Sequence, residues 1–336
     1  MATTVISAFN DFQKNIVNLD STTSSTARSS RDWLLDQISK FPENNDNFPN
    51  LYPEIDIGFG SFARKTKTRP LDDIDLMVGI KADGCTYYER SWDDIELKFP
   101  ENYSGKLKKY AKTLDSSSLS STRITNAFKS ELSKVSQYSS AEIKRDGEAA
   151  TLKLKSYTWN FDIVPCFLTS PDSDGNSYYL IPNRSGSWKK TNPKTDRDRL
   201  SKVNQNQSGH VLNVIRILKY WKQANNINIG SYLLEAMILY YYENKSDDSC
   251  SSFVDMELSN VFSHLASNIL NIIPDPKGIQ TDINDIDYYR RSTLEGVFKK
   301  FSRLSTEARQ LEIDQKQEES INKWKEVFGN NFPNYG

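Results

Sequence analysis

Apolar residues change their spacing partway along the chain, and the change divides it. From about residue 51 to 168 they come as short runs suited to strands. The clearest begins at Asp73, where Ile74, Leu76, Val78 and Ile80 alternate with other residues and predict a strand with one buried face. Residues 51–59 read as an earlier strand, broken at Gly58-Phe59-Gly60-Ser61. Ala141–Lys144, Ala149–Tyr157 and Thr158–Leu168 read as three more strand-like pieces, and Thr122–Val135 as a helix before them. From His210 onward apolar positions recur every three or four residues, which predicts helices over 210–225, 230–243, 253–272, 286–303 and 306–328, interrupted at Pro274-Asp275-Pro276.

The remaining segments are less patterned. The first twenty residues carry a weak helical stripe through Phe9, Phe12, Ile16 and Leu19. Ser21–Ser30 suggests a capped turn. A helix to about Ile38 is expected to bury Trp33, Leu34 and Ile38 and to stop at Phe41-Pro42. Residues 83–121 are polar and irregular, and Lys106, Lys108 and Lys109 there read as a solvated face. Residues 169–209 read as connecting structure, with a short apolar piece at Tyr178–Ile181. The expected fold class is α+β. A mixed-sheet lobe with N-terminal helices covers 1–209 and a helical lobe covers 210–336, with an active-site cleft between them.

Composition narrows the function. Lys and Arg number 43 against 44 Asp and Glu, so the chain lacks the strong basicity of a constitutive nucleic-acid coat. Three scattered cysteines read as reduced thiols, and neither a CxxC nor an HExxH spacing points to zinc. No apolar run is long enough to span a bilayer and no signal peptide opens the chain, so a cytoplasmic protein without a membrane partner is expected. With two histidines, His210 and His264, any chemistry is expected to rest on carboxylates.

Those carboxylates stand out on the strand at Asp73. Residues i and i+2 of a strand point to one face, so Asp73 and Asp75 project together while Ile74 and Leu76 enter the core. Two anions held side by side call for a cation, a shared proton or full solvation. Asp162, opposite in facing to Phe161 and Ile163 in Trp159–Pro165, supplies a third carboxylate on another strand. Three such groups suit a two-metal site for Mg2+, with Mn2+ as the substitute, that activates an attacking hydroxyl and stabilises a leaving pyrophosphate. Gly60 and Ser61, separated from Asp73 by an interval of eleven residues, open a short helix whose backbone can approach a phosphate closely.

Gly60-Ser61-Phe62-Ala63-Arg64 followed by Asp73-Ile74-Asp75 resembles the active-site signature of the DNA polymerase β-like nucleotidyltransferases, and within them the bacterial cyclic GMP–AMP synthase-like enzymes (CD-NTases) of anti-phage signalling. The resemblance runs over about residues 30–330. It implies a two-lobed fold, magnesium dependence and synthesis of a cyclic di- or trinucleotide from nucleoside triphosphates. It also implies an effector protein activated by the product and leaves room for a regulatory partner protein. By the same resemblance Lys219 is the triphosphate-binding lysine, Ser231 assists it, and Tyr232 stacks on the donor base. Trp188–Pro193 resembles the connection between lobes.

Other readings of these residues remain. Arg216 and Lys222, which recur with Lys219 every three residues, read as a solvated flank. Ser231 is otherwise a plain N-cap, with Glu235 placed for a capping box, and Tyr232 otherwise packs in the core. The terminal Asn334-Tyr335-Gly336 reads as a frayed end, although some relatives use such a tail for conjugation. The alternative functions are a nucleotidyl or adenylyl transferase acting on RNA ends, a protein or a small molecule, and an inactive fold used for binding.

Overall fold

The computed structural model describes residues 2–245 and 249–336, and the chain divides into two compact units. In chain order the helices are α1 (Val5–Phe12), α2 (Ser21–Ser39), α3 (Phe41–Asn44), α4 (Gly60–Ala63), α5 (Ser121–Leu132), α6 (Pro193–Asn206), α7 (Val211–Ala224), α8 (Ser231–Glu243), α9 (Val254–Asn268), α10 (Tyr288–Ile313) and α11 (Gln317–Phe328). The strands are β1 (Ile57–Phe59), β2 (Asp73–Gly79), β3 (Thr86–Ser91), β4 (Asp94–Lys98), β5 (Glu142–Asp146), β6 (Ala149–Lys153), β7 (Asn160–Leu168), β8 (Tyr179–Pro182) and β9 (Trp188–Thr191).

The sheet unit comprises Thr22–Arg64 and Pro70–Arg197. Among the described residues its strands run in the order β1-β2-β7-β8-β9-β4-β3, with β6 also on β7 and β5 beyond it. Strands β2 and β7 are parallel and the other named pairings are antiparallel. Ile74, Leu76, Phe161 and Ile163, inward by alternation, are all buried. On the opposite face Met77, Val164 and Cys166 join Ile55, Tyr179 and Ile181 in a small apolar cluster.

The helical unit comprises the N-terminal segment through Ser21, the short piece Lys65–Arg69 and Asp198–Gly336. Its core gathers Phe9 and Phe12 of α1, Leu218 and Trp221 of α7, Leu234 of α8, Phe262 of α9, Phe298 of α10 and Trp324 and Phe328 of α11. Phe9 meets Trp324 edge-on with centroids 5.0 Å apart, so Phe9 and Phe12 of the weak N-terminal stripe are buried, while Ile16 and Leu19 are half-buried.

Several expectations need correction. Ser21–Ser30 is the first half of α2, not a turn, and Trp33 is 38% exposed. Buried Ala27 and Leu34 fix the face α2 presents, and packing outweighs the modest helix propensity of its Ser/Thr run. The polar stretch 83–121 contains the β3–β4 hairpin, whose outer strand is exposed along its whole length and so has no apolar period to read. The stretch 169–209 contains β9 and α6 besides the anticipated β8. The terminal residues are not frayed: Tyr335 bridges Ala2, and the Gly336 N–H donates to the Ala2 carbonyl at 3.3 Å.

Candidate active site

Register places the three carboxylates. In the parallel β2–β7 pair Asp75 lies opposite Asp162, and Asp73 sits two residues earlier on the same face of β2. All three are half-buried, at the end of the face that becomes apolar at Met77 and Val164. On the other flank of β7, Thr151 of β6 pairs with Asp162 and its hydroxyl donates to the Asp162 carboxylate at 2.6 Å. The threonine fixes one oxygen of that carboxylate, a contact with no signal in the sequence.

The glycine loop leans on the same group. Strand β1 pairs antiparallel with β2, which puts Phe59 opposite Asp75 and starts α4 beside it. Gly60 has φ +68°, and a Cβ built there would come within 1.7 Å of Asp75 Oδ2. Glycine is therefore required twice, for its left-handed backbone and for the close approach. Ser61 follows as the second residue of α4, half-buried.

Burial pushes the Asp162 carboxyl above its usual range, and the charge of Asp73 pushes it further the same way, while the Thr151 hydroxyl opposes the shift. A cation is the natural relief, and three carboxylates of one face are hard oxygen donors of the type magnesium takes. Among the described residues no three His, Cys, Asp or Glu side chains close into a ready-made metal cage. A magnesium ion is ordinarily held by one or two carboxylates together with waters and substrate phosphates. The residues present fit the ion.

Lys219, Ser231 and Tyr232 lie in the helical unit. Lys219 is on α7, half-buried, and Ser231 and Tyr232 are the first two residues of α8. Three neighbouring residues behave otherwise than the sequence suggests. The N-cap of α8 is Gly230, without a side-chain cap, so Ser231 is not a cap. Its hydroxyl instead accepts from the Lys222 ammonium at 3.0 Å, and burial lowers the pKa of that lysine. Glu235 does not close a capping box with Ser231. It is buried and accepts from the buried Thr66 hydroxyl at 2.9 Å.

Arg216 is not a solvated flank either. Its guanidinium donates to the Lys65 carbonyl at 2.9 Å, and burial lowers its pKa. Lys65 holds a left-handed φ of 60°, which turns that carbonyl out of the preceding helical turn. The Arg69 N–H donates to the Val17 carbonyl at 3.0 Å, and Thr68 bridges Asn18. The piece between the glycine loop and the Asp pair is thus anchored in the helical unit.

No family model matches the chain. A probable cyclic nucleotide synthase of Bacillus cereus strain VD146 is 43% identical over 337 aligned residues, covering 100% of this chain and 99% of that protein. Among solved structures, the CdnC:HORMA-deltaN complex of E. coli MS115-1 superposes with TM-score 0.69 at 18% identity, over 98% of each chain. The DncV cyclic AMP-GMP synthase of Vibrio cholerae, solved with the linear intermediate 5′ pppA(3′,5′)pG, superposes with TM-score 0.68 at 13% identity, over 99% of this chain and 98% of that one. The two superpositions show that the chain shares the fold of those structures, with a sheet part and a helical part.

Proposed function

This chain belongs to the bacterial cyclic GMP–AMP synthase-like nucleotidyltransferases, and we propose that it condenses nucleoside triphosphates into a cyclic di- or trinucleotide with release of pyrophosphate. The observation that carries the proposal is the register of β2 on β7, which aligns Asp73, Asp75 and Asp162 on one face beside the Gly60 turn. Asp73, Asp75 and Asp162 would hold Mg2+, or Mn2+ in its place. The ion supplies charge stabilisation for the displacement at the α-phosphorus. Asp75 is set against the glycine turn, so its carboxylate cannot swing toward β1. Thr151 holds Asp162 in one orientation. The Ser61 hydroxyl and α4 backbone N–H groups receive triphosphate oxygens. Lys219 and Ser231 bind the donor triphosphate, and Tyr232 stacks on its base.

A single such carboxylate set among the described residues implies that it is used more than once. The first displacement leaves a linear product with a 5′-triphosphate. That product then re-enters as donor, and its free hydroxyl closes the ring by the same in-line attack. The product acts as a second messenger on an effector protein in defence against phage. A regulatory partner protein fits this scheme, as the solved CdnC complex illustrates for that relative.

The test is incubation of the purified chain and Mg2+ with labelled ATP, GTP, CTP and UTP, singly and in pairs, followed by phosphatase. Phosphatase-resistant label is expected. Label that is wholly phosphatase-sensitive indicates a tailing or linear transferase, and no product at all indicates a binding module.

A further inference from the structure

The tyrosine assigned to the donor base is held at its hydroxyl by a buried ion pair from a distant loop. Residues 274–280 connect α9 toward α10. The Asp275 side chain has 0% exposure and accepts from the Lys277 ammonium at 2.9 Å, and the Lys277 side chain is 9% exposed. The same carboxylate accepts the Lys277 N–H at 3.1 Å and the Gln280 N–H at 3.2 Å, and the Asp275 carbonyl accepts the Gly278 N–H at 2.9 Å. Two turns along α8 from Tyr232, the Tyr240 hydroxyl donates to the Pro274 carbonyl at 2.9 Å and ties the loop to that helix.

The Lys277 ammonium donates to the Tyr232 hydroxyl at 2.5 Å and lies 4.3 Å from the ring centroid. Those two distances together put it at the hydroxyl end of the ring rather than above its middle. It therefore grips the rim of the ring and not the centre of a face. Burying a lysine and an aspartate is costly, and an apolar contact would fasten a loop to a helix as well or better. What an apolar contact does not do is pin the hydroxyl end of the ring at one point, which holds the side chain in a single χ1 rotamer. A stacking platform ordered before its ligand arrives binds more tightly than one ordered by it.

We propose that Asp275 and Lys277 are positioning residues that fix Tyr232 for stacking on a nucleobase, so that the loop 274–280 belongs to the nucleotide site. The proposal rests on the reading of Tyr232 as the donor-base platform.

A double-mutant cycle on the full chain tests it. The variants are Tyr232→Phe, which keeps the ion pair, Asp275→Asn with Lys277→Met, which replaces the pair by neutral groups, and all three changes together. Binding of α,β-methylene ATP and α,β-methylene GTP is measured at equilibrium, with KM and kcat for turnover. Each of the first two variants is expected to weaken analogue binding by about tenfold, with kcat at saturation little changed, and the triple variant to be no weaker than the worse of them. Losses that multiply in the triple variant, or wild-type binding by Tyr232→Phe, overturn the proposal. If thermal unfolding shows that the neutral pair does not fold, Tyr232→Phe decides alone by the same criterion. Binding is read without turnover, so intact coupling in a chain that forms no cyclic product contradicts the proposed function and leaves this inference standing.

Discussion

At the scale of the residue, the site depends on a few close approaches. Gly60 is the tightest. Gly60→Ala puts a methyl group into the Asp75 carboxylate and a side chain on a left-handed backbone, the latter costing about 1–2 kcal/mol. We expect product formation to collapse while the unfolding midpoint falls modestly; near-wild-type turnover by Gly60→Ala would separate the loop from the chemistry. Lys219→Ala is expected to raise the apparent KM for triphosphate by roughly tenfold to a hundredfold, the worth of a charged hydrogen bond. An unchanged KM would remove Lys219 from the donor site. The Asp pair and the glycine turn were legible because strand alternation and glycine are local signals. Thr151, Lys222 and Thr66 were not, because their partners Asp162, Ser231 and Glu235 are remote in sequence or lie across a turn that no period reports.

At the scale of elements, the piece Lys65–Arg69 is the least expected feature. It follows the glycine turn in sequence yet is bonded throughout to the helical unit, at Val17, Asn18, Arg216 and Glu235. Five residues without an apolar period carry no statement about where they dock. Thr66→Val keeps the shape and removes the donor to a buried carboxylate. We predict a loss of about 1.5–3 kcal/mol in unfolding free energy by denaturant titration. A change within experimental error would mean that the bond to Glu235 does not anchor the segment. The helices from α7 onward were legible in position because their apolar stripes are regular. The boundary between α10 and α11 was displaced by ten residues or so because α10 continues to Ile313 with buried Leu304, Ser305 and Ala308.

At the scale of the whole molecule, pH offers a check on burial. Burial pushes the Asp56 carboxyl up to about 6 from 3.8, against the Gly79 N–H that it accepts at 2.7 Å. A raised carboxyl means that the folded chain holds more protons than the unfolded one between those values. Stability should therefore fall as pH rises through 3.8 to about 6 and level off above, by at most about 3 kcal/mol for this group. Asp56→Asn should reduce that slope, to which Asp255, also raised by burial to about 6, contributes as well, and an unchanged slope would show that Asp56 is not among the groups responsible. No helix among the described residues is long and apolar enough to cross a membrane. In the proposed reaction one set of carboxylates both joins nucleotides and closes the ring. The direct measurement supplies a ready-made linear dinucleotide 5′-triphosphate with Mg2+ to the wild-type chain and to the Asp73→Ala, Asp75→Ala double variant, and follows pyrophosphate and phosphatase-resistant product. Cyclisation by the wild type and none by the double variant is the predicted result. Equal cyclisation by both, or a linear species left untouched by a wild type that also makes no cyclic product from any mixture of triphosphates, would contradict it.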